Sequence, residues 1–303
     1  MTSSSPLTVA TTVLPVGDGG PYGIVAGPDG ALWFTLVHGS RIGRMTPGGE
    51  LATFPLDASL AGPVVITTGP DGALWFTAST GHHVGRITTD GEVTAFAPPT
   101  PGSGPFGIAE GPDGAMWFTG MNTDTVGRVA PDGTVTEFPI GTTGAFASAL
   151  ACGHDGALWF TMNQANAVGR IATDGAVTTF PLPTEDAAPV GLTLGPDGAL
   201  WFVEIGAGQV GRLTVGGEVV EFPLPDRDAR PHAITTGPDG RLWFTEWGSA
   251  RVGAIDVNGK VEHADLPSGS EPHGIAVGPD DAVWVALEAG SLVRLQPAAD
   301  EAL

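Results

Sequence analysis

Two glutamates and two histidines stand out by type and by spacing. Glu271 precedes His273 by two residues in Glu271-Pro-His-Gly-Ile275, so an extended chain puts both side chains on one side. His232 holds the matching place in Arg230-Pro-His-Ala-Ile234, and Glu288 follows Trp284 by four. Two carboxylates in close approach on an acidic chain repel each other unless a cation or a proton sits between them. A pair of carboxylates completed by water or substrate oxygens suits Mg²⁺. Zinc would want three or four nitrogen, sulfur or oxygen ligands from the protein. A histidine beside such a metal titrates near neutrality and is placed to act as general base or acid.

The elements that must bring these groups together are repeats. Gly69-Pro-Asp-Gly-Ala-Leu-Trp-Phe-Thr77 has close copies beginning at Gly27, Gly111, Gly153, Gly195, Gly237 and Gly278. The tryptophans Trp33, Trp75, Trp117, Trp159, Trp201 and Trp243 are 42 residues apart, and Trp284 follows after 41. That period, with several short strands per unit, predicts a β-propeller. Gly-Pro-Asp-Gly supplies a tight turn, and Leu-Trp-Phe-Thr alternates large side chains to the two faces of a strand. A short strand precedes the turn (Gly23–Ala26), and two follow (Ile42–Met45 or Val84–Ile87, then one such as Thr134–Pro139). The expectation is an all-β, seven-bladed propeller with four antiparallel strands per blade and no helix, a single domain over residues 1–303. The seventh repeat ends without its fourth strand, whereas Thr11–Val16 is patterned like one. The N-terminal strand is therefore expected to pair with Leu292–Leu295 and close the ring, removing two raw edges.

Departures from the repeat at fixed register are where function can show. Stepping from Tyr22 gives Val64, Phe106, Ser148, Val190, His232 and His273, a ring around the mouth of the central channel. Two residues earlier the ring reads Gly20, Gly62, Gly104, Phe146, Ala188, Arg230 and Glu271. Four after each tryptophan it reads Val37, Ser79, Met121, Asn163, Ile205, Trp247 and Glu288. All three rings lie at one face, so Glu271, His273 and Glu288 are expected to meet at one edge of the mouth. Tyr22 adjoins them on ring closure, and His232 is one blade away. The recurrent Arg44, Arg86, Arg128, Arg170 and Arg212 read as braces between neighbouring blades, and Glu204 and Glu246 as supporting acids along the channel. His82 and His83 lie in a loop without carboxylate support.

Net charge narrows the partners. The formal charge is −21 with a single lysine, Lys260, which argues against nucleic acid and anionic membranes and favours a cation or a neutral ligand. Cys152 is alone, so no intrachain disulfide is possible. The first forty residues lack Lys and Arg and carry no apolar run of signal-peptide or membrane-span length. A soluble, cytoplasmic monomer is the expectation.

Arg230–Ile234, Leu242-Trp-Phe-Thr-Glu-Trp247 and Glu271–Ile275, with Gly20-Pro-Tyr-Gly-Ile24 in the first blade, resemble the streptogramin B lyase (virginiamycin B lyase) family over nearly the whole chain. The resemblance implies a Mg²⁺-dependent carbon–oxygen lyase that linearises cyclic depsipeptide antibiotics by elimination at a threonyl ester. Such a reaction leaves a free carboxylate and a dehydrobutyrine. Carried over by position, it implies that Glu271 and Glu288 hold the metal, His273 is the general base or acid, and His232 binds substrate. Tyr22 and Phe106 would orient a bulky apolar macrocycle across the mouth. The last blade departs in reading Trp284-Val-Ala. Two other classes stay open on the residues: a metal-dependent lactonase that adds water, and a non-catalytic peptide-binding propeller.

Overall fold

Each repeat folds around its turn. In the first, the Gly27 N–H donates to the Ala31 carbonyl at 2.7 Å, and Gly30 adopts a left-handed φ of 71° that glycine takes at little cost. The strand that follows, Leu32–Leu36, is buried along its whole length. The computed structural model describes residues 5–297, so the expected domain bounds 1 and 303 lie outside the described residues. Blade 1 is Pro21–Ala26, Leu32–Leu36, Arg41–Met45 and Leu51–Pro55, paired antiparallel in that order. Six further sheets repeat the pattern, so the seven-bladed all-β expectation holds. Two single 3₁₀ turns, Ala58–Leu60 and Trp247–Ser249, interrupt it. Among the described residues, no helix is long and apolar enough to cross a membrane.

Three recurring contacts hold a blade. Trp33 stacks on Phe54 of the outer strand at 5.4 Å, and a Cβ on Gly43 would come within 2.2 Å of the Phe34 ring, so that glycine makes room for the aromatic. The Asp29 carboxylate accepts from Trp33 Nε1 at 3.0 Å and Arg44 Nε at 2.7 Å. The repeated arginines therefore tie the turn aspartate and tryptophan within their own blade, which corrects the expected bracing of neighbours. In blade 6 Ala254 stands at the arginine position, and Arg241 reaches Asp239 instead. Blade 7 swaps the Phe–Gly pair for Val285 opposite Val293, a volume exchange that absorbs its departure from Trp-Phe-Thr.

Threonines join the blades. Thr35 Oγ1 accepts from the Gly23 N–H and donates to the Val64 carbonyl of the next inner strand, both at 2.8 Å. Thr77, Thr119, Thr161 and Thr245 repeat the bridge to the next blade, and Thr245 ends on the His273 carbonyl at 2.9 Å. Val203 and Ala286 occupy this place in blades 5 and 7 and have no hydroxyl to give.

Closure follows the expected register, with Thr11 opposite Leu295 and Leu14 opposite Leu292 in a longer strand, Val9–Pro15. The chain does one thing more. Ser5–Pro6 adds in parallel to Val261–Asp265 of blade 6, and the Leu7 N–H donates to the His263 carbonyl at 2.7 Å. Leu7 is buried in one cluster with Trp243, in the blade where Ala264 replaces the outer-strand phenylalanine. One N-terminal segment thus clasps two blades.

Candidate active site

The residues just before each inner strand share an unusual backbone. At the position of Glu271 every blade is left-handed: Gly20, Gly62 and Gly104 at φ 67°, 65° and 59°, then Phe146, Ala188, Arg230 and Glu271 at 54°, 50°, 49° and 48°. This turn aims the chain into the mouth, and a non-glycine residue there is strained. The Glu288 N–H donates to the Glu271 carbonyl at 3.1 Å, which locks the two acidic positions together through backbone. Their side chains diverge. Glu271 is exposed and lines a shallow groove with Asp228, Arg230 and Trp247, whereas Glu288 turns to the histidines.

His273 is the centre of the cluster. It is 7% exposed, its ring stacks on Tyr22 at 4.5 Å, and His232 meets it edge-on at 4.7 Å. Its Nε2 lies 2.5 Å from Glu288 Oε2 in an ion-pair contact, and both ring nitrogens are buried without a hydrogen-bond partner. Burial pushes its pKa below the ordinary histidine value and outweighs the opposite pull of Glu288. Burial, with His273 beside it, drives His232 down to about 3. His232 keeps some surface open to the channel but is surrounded by protein, so the neutral form is the one present. Its Nε2 is 3.2 Å from the Tyr22 hydroxyl, and its Nδ1 is buried and unpartnered. Burial, then the charge of Glu288, raises the Tyr22 phenol and keeps it a donor.

Tyr22, His232 and Phe106 line a mostly apolar central cavity of about 520 Å³, with Met121, Phe146 and Ile205 among its walls. Phe106 sits three blades from His273, on the far side of that cavity. The structure thus brings His273, Glu288, Tyr22 and His232 into contact, sets Glu271 at the rim, and places Phe106 as an opposite wall.

Two expected channel acids are elsewhere. Glu204 and Glu246 are fully buried, because the second strand lies behind the inner one and each acid packs beside its cross-strand neighbour on the third strand, Gln209 or Arg251. Glu204 is met by Gln209 Nε2 at 2.5 Å, and burial pushes its carboxyl up to about 7. Glu246 pairs with Arg251 at 2.8 Å and lies 3.0 Å from His263 Nδ1. His82 accepts from the Gly104 N–H at 3.2 Å and His83 Nδ1 meets the Gly81 carbonyl at 2.8 Å, both loop contacts.

Two site neighbours carried no assigned role in the sequence. Trp247 opens a 3₁₀ turn, lies 6.3 Å from the His273 ring, and has the Arg230 guanidinium 5.5 Å over its face. His38, five residues after Trp33, puts Nε2 2.5 Å from the other oxygen of Glu288. Stepping through that loop position finds Thr80, Asn122, Gln164, Gly206, Gly248 and Ala289, so a lone histidine beside the closure was the available signal.

The donor set bears on a cation. Glu288 offers two oxygens that imidazoles crowd from either side, and Glu271 is an exposed carboxylate anchored to it through backbone. Among the described residues, no three His, Cys, Asp or Glu side chains form a ready cage. Two carboxylates joined only through backbone could hold no more than an ion that keeps most of its own water, which is the habit of Mg²⁺.

The sequence model of the Virginiamycin B lyase family matches residues 7–295. A virginiamycin B lyase of Saccharopolyspora erythraea is 72% identical over 40 residues, 13% of each chain. One of Bordetella pertussis is 52% identical over 50 residues, 16% of this chain and 17% of the relative. These local matches span only 13% and 17% of the curated relatives' own length. Solved structures align throughout. Selenomethionine-substituted virginiamycin B lyase from Staphylococcus aureus is 40% identical with a TM-score of 0.92, covering 95% of this chain and 99% of that one. A catalytically inactive histidine-to-alanine variant of the S. aureus enzyme, solved with quinupristin, gives 38% and 0.91 over 95% and 99%.

Proposed function

Because the chain belongs to the virginiamycin B lyase family, we propose that it inactivates type B streptogramins by opening the cyclic depsipeptide through elimination at the threonyl ester. The observation that carries this reading is a buried, neutral-leaning His273 held between the Tyr22 ring and the Glu288 carboxylate at the mouth of an apolar cavity. A base of this kind removes a proton α to a carbonyl, and the cavity has room for apolar parts of a macrocycle.

Each side chain has a part in the proposed reaction. Glu288 lies against Nε2 of His273 and neither ring nitrogen is tied up in a hydrogen bond, so the neutral imidazole keeps one nitrogen with a free lone pair. That nitrogen takes the α-proton; the C–H electrons form the Cα–Cβ double bond, the Cβ–O bond breaks, and the ester leaves as a carboxylate. Water is not consumed. His232 and the Tyr22 hydroxyl, both neutral, orient the substrate by hydrogen bonds, and Phe106 packs against it from the opposite wall. Glu271 and Glu288 would hold Mg²⁺, whose chemistry when bound is to stabilise negative charge on the substrate carbonyl oxygen as a Lewis acid.

Mass spectrometry of quinupristin after incubation with the protein and Mg²⁺ tests the reading. The expected product has the mass of the intact macrocycle and new ultraviolet absorption from a conjugated dehydroamino acid. A product heavier by one water, carrying label from ¹⁸O-water, would instead identify a lactonase. Binding without turnover would identify a peptide-binding propeller.

A further inference from the structure

His38 and Glu288 meet across the closure of the ring, 250 positions apart in sequence. His38 Nε2 and His273 Nε2 each stand 2.5 Å from a different oxygen of the same carboxylate. An ionised carboxylate only accepts, so the His38 imidazole donates a hydrogen bond to it through Nε2, while His273 Nε2 stands in ion-pair contact with the other oxygen. His273 comes from blade 7 itself and His38 from blade 1, and the two rings flank the Glu288 carboxylate, His38 with a hydrogen bond.

The loop that carries His38 is built to deliver it. Its N–H donates to the Gly19 carbonyl at 2.9 Å, and the Val37 N–H donates to the Gly20 carbonyl at 3.0 Å. A Cβ on Gly20 would come within 2.5 Å of His38 Cδ2, so the ring lies directly over that glycine. The other blades have Thr, Asn, Gln, Gly or Ala at this loop position, and only blade 1 adjoins Glu288 across the closure.

We propose that His38 is a positioning residue for Glu288, holding one carboxylate oxygen so that the carboxylate keeps a fixed aim at His273 and at a divalent cation. The proposal rests on the reading that Glu271 and Glu288 hold that cation. The His38 side chain is 66% exposed, and an exposed pair of this kind adds little to stability. Its effect is therefore on the carboxylate's orientation, the role that hydrogen-bonding partners of metal ligands commonly serve.

The test uses the full chain, His38→Ala and His38→Gln, titrated calorimetrically with Mn²⁺ alone and assayed with quinupristin. Removal of the imidazole should weaken Mn²⁺ binding by about 10- to 100-fold. It should also lower kcat with KM little changed, at an unaltered melting temperature. His38→Gln, whose amide also donates, should recover most of the affinity and rate. Wild-type Mn²⁺ affinity in His38→Ala, or no recovery in His38→Gln, would overturn the positioning role while leaving the cation site standing. Absence of Mn²⁺ and Mg²⁺ binding in the unaltered protein would bring down the cation site, and this role with it.

Discussion

At the channel mouth, blades 1 to 3 place a glycine before the inner strand and a longer side chain after the second strand: Gly20 with His38, Gly62 with Thr80, Gly104 with Asn122. Blades 5 to 7 reverse the pair, with Ala188 and Gly206, Arg230 and Gly248, Glu271 and Ala289. In blades 1 to 3 the two positions compete for one space, and a Cβ on Gly62 would lie 2.5 Å from Thr80 Oγ1. In blades 5 and 6 the glycine instead makes room for backbone, and a Cβ on Gly206 would lie 2.3 Å from the Asp186 carbonyl oxygen. Blade 4 carries both side chains, Phe146 and Gln164. The left-handed backbone is common to both halves, so the scaffold does not change where the chemistry changes. What differs is which strand end bears the side chain. Glu271 and His38 come from opposite patterns, and they flank the same residue, Glu288, because blades 7 and 1 are where the patterns meet.

The clasp that makes this junction is the first place to break it. Deleting residues 1–18 removes the outer strand of blade 7 and the fifth strand of blade 6, and with them buried Leu7 and Val16. Each buried aliphatic side chain is worth roughly 1.5–3 kcal/mol, so these two alone cost about 3–6 kcal/mol, a large share of the roughly 5–15 kcal/mol of a typical domain. Circular dichroism should show a melt lowered by at least about 10 °C or loss of a cooperative transition. An unchanged melt would mean that the ring stays shut without the clasp.

Next in size is the effect of His273→Ala on turnover. A positioned acid or base contributes about 10²–10⁴-fold, so kcat should fall by that factor while Mn²⁺ binding persists. The substitution also removes the ring's contacts with Tyr22 of blade 1 and His232 of blade 6, so the melting temperature should fall by a few degrees with the fold kept. Turnover within tenfold of the unaltered protein would remove His273 from the base role.

How much of this was legible in the sequence follows from what repeats and what does not. The 42-residue period carried the blades, the strand order and the closure, because seven copies of one turn and strand leave little freedom. Glu271, His273, Glu288 and His232 were legible as breaks in register on elements whose face is fixed. The arginines were read as structural, but periodicity does not say which aspartate a guanidinium reaches. The fifth strand was invisible, since Ser5–Pro6 is too short to show alternation. His38 was overlooked because its partner is brought to it only by closure of the ring.

Shared features should respond alike around the ring. Burial pushes the Asp29 and Asp155 carboxyls up, but hydrogen bonds from Trp33 and Arg44, and from Arg170 and Trp159, more than offset it and hold both below the usual range. A carboxylate depressed in the folded state contributes stability that is present above its unfolded pKa and lost as pH falls through its folded one. Stability should therefore decline below about pH 4. Asp29→Ala and Asp155→Ala should each cost about 1.5–3 kcal/mol at neutral pH in urea unfolding. A large difference between blades 1 and 4 would show that the staple is not equivalent around the ring.

The smallest effect is the sharpest test of the loop comparison. Glu271 is held at φ 48°, where blades 1 to 3 use glycine. Left-handed backbone costs a non-glycine residue on the order of 1 kcal/mol or more. Glu271→Gly relieves that strain, offset by about 0.4–1 kcal/mol for the added freedom of glycine in the unfolded chain. Urea unfolding should show a change between zero and about 1 kcal/mol in the stabilising direction, with Mn²⁺ binding and turnover lost. Gly62→Ala makes the reverse exchange in blade 2, where the new Cβ meets Thr80 Oγ1 at 2.5 Å, and it should destabilise. If Glu271→Gly instead costs more than about 1 kcal/mol, the carboxylate supports the fold, and the strain at this turn is not a concession to chemistry.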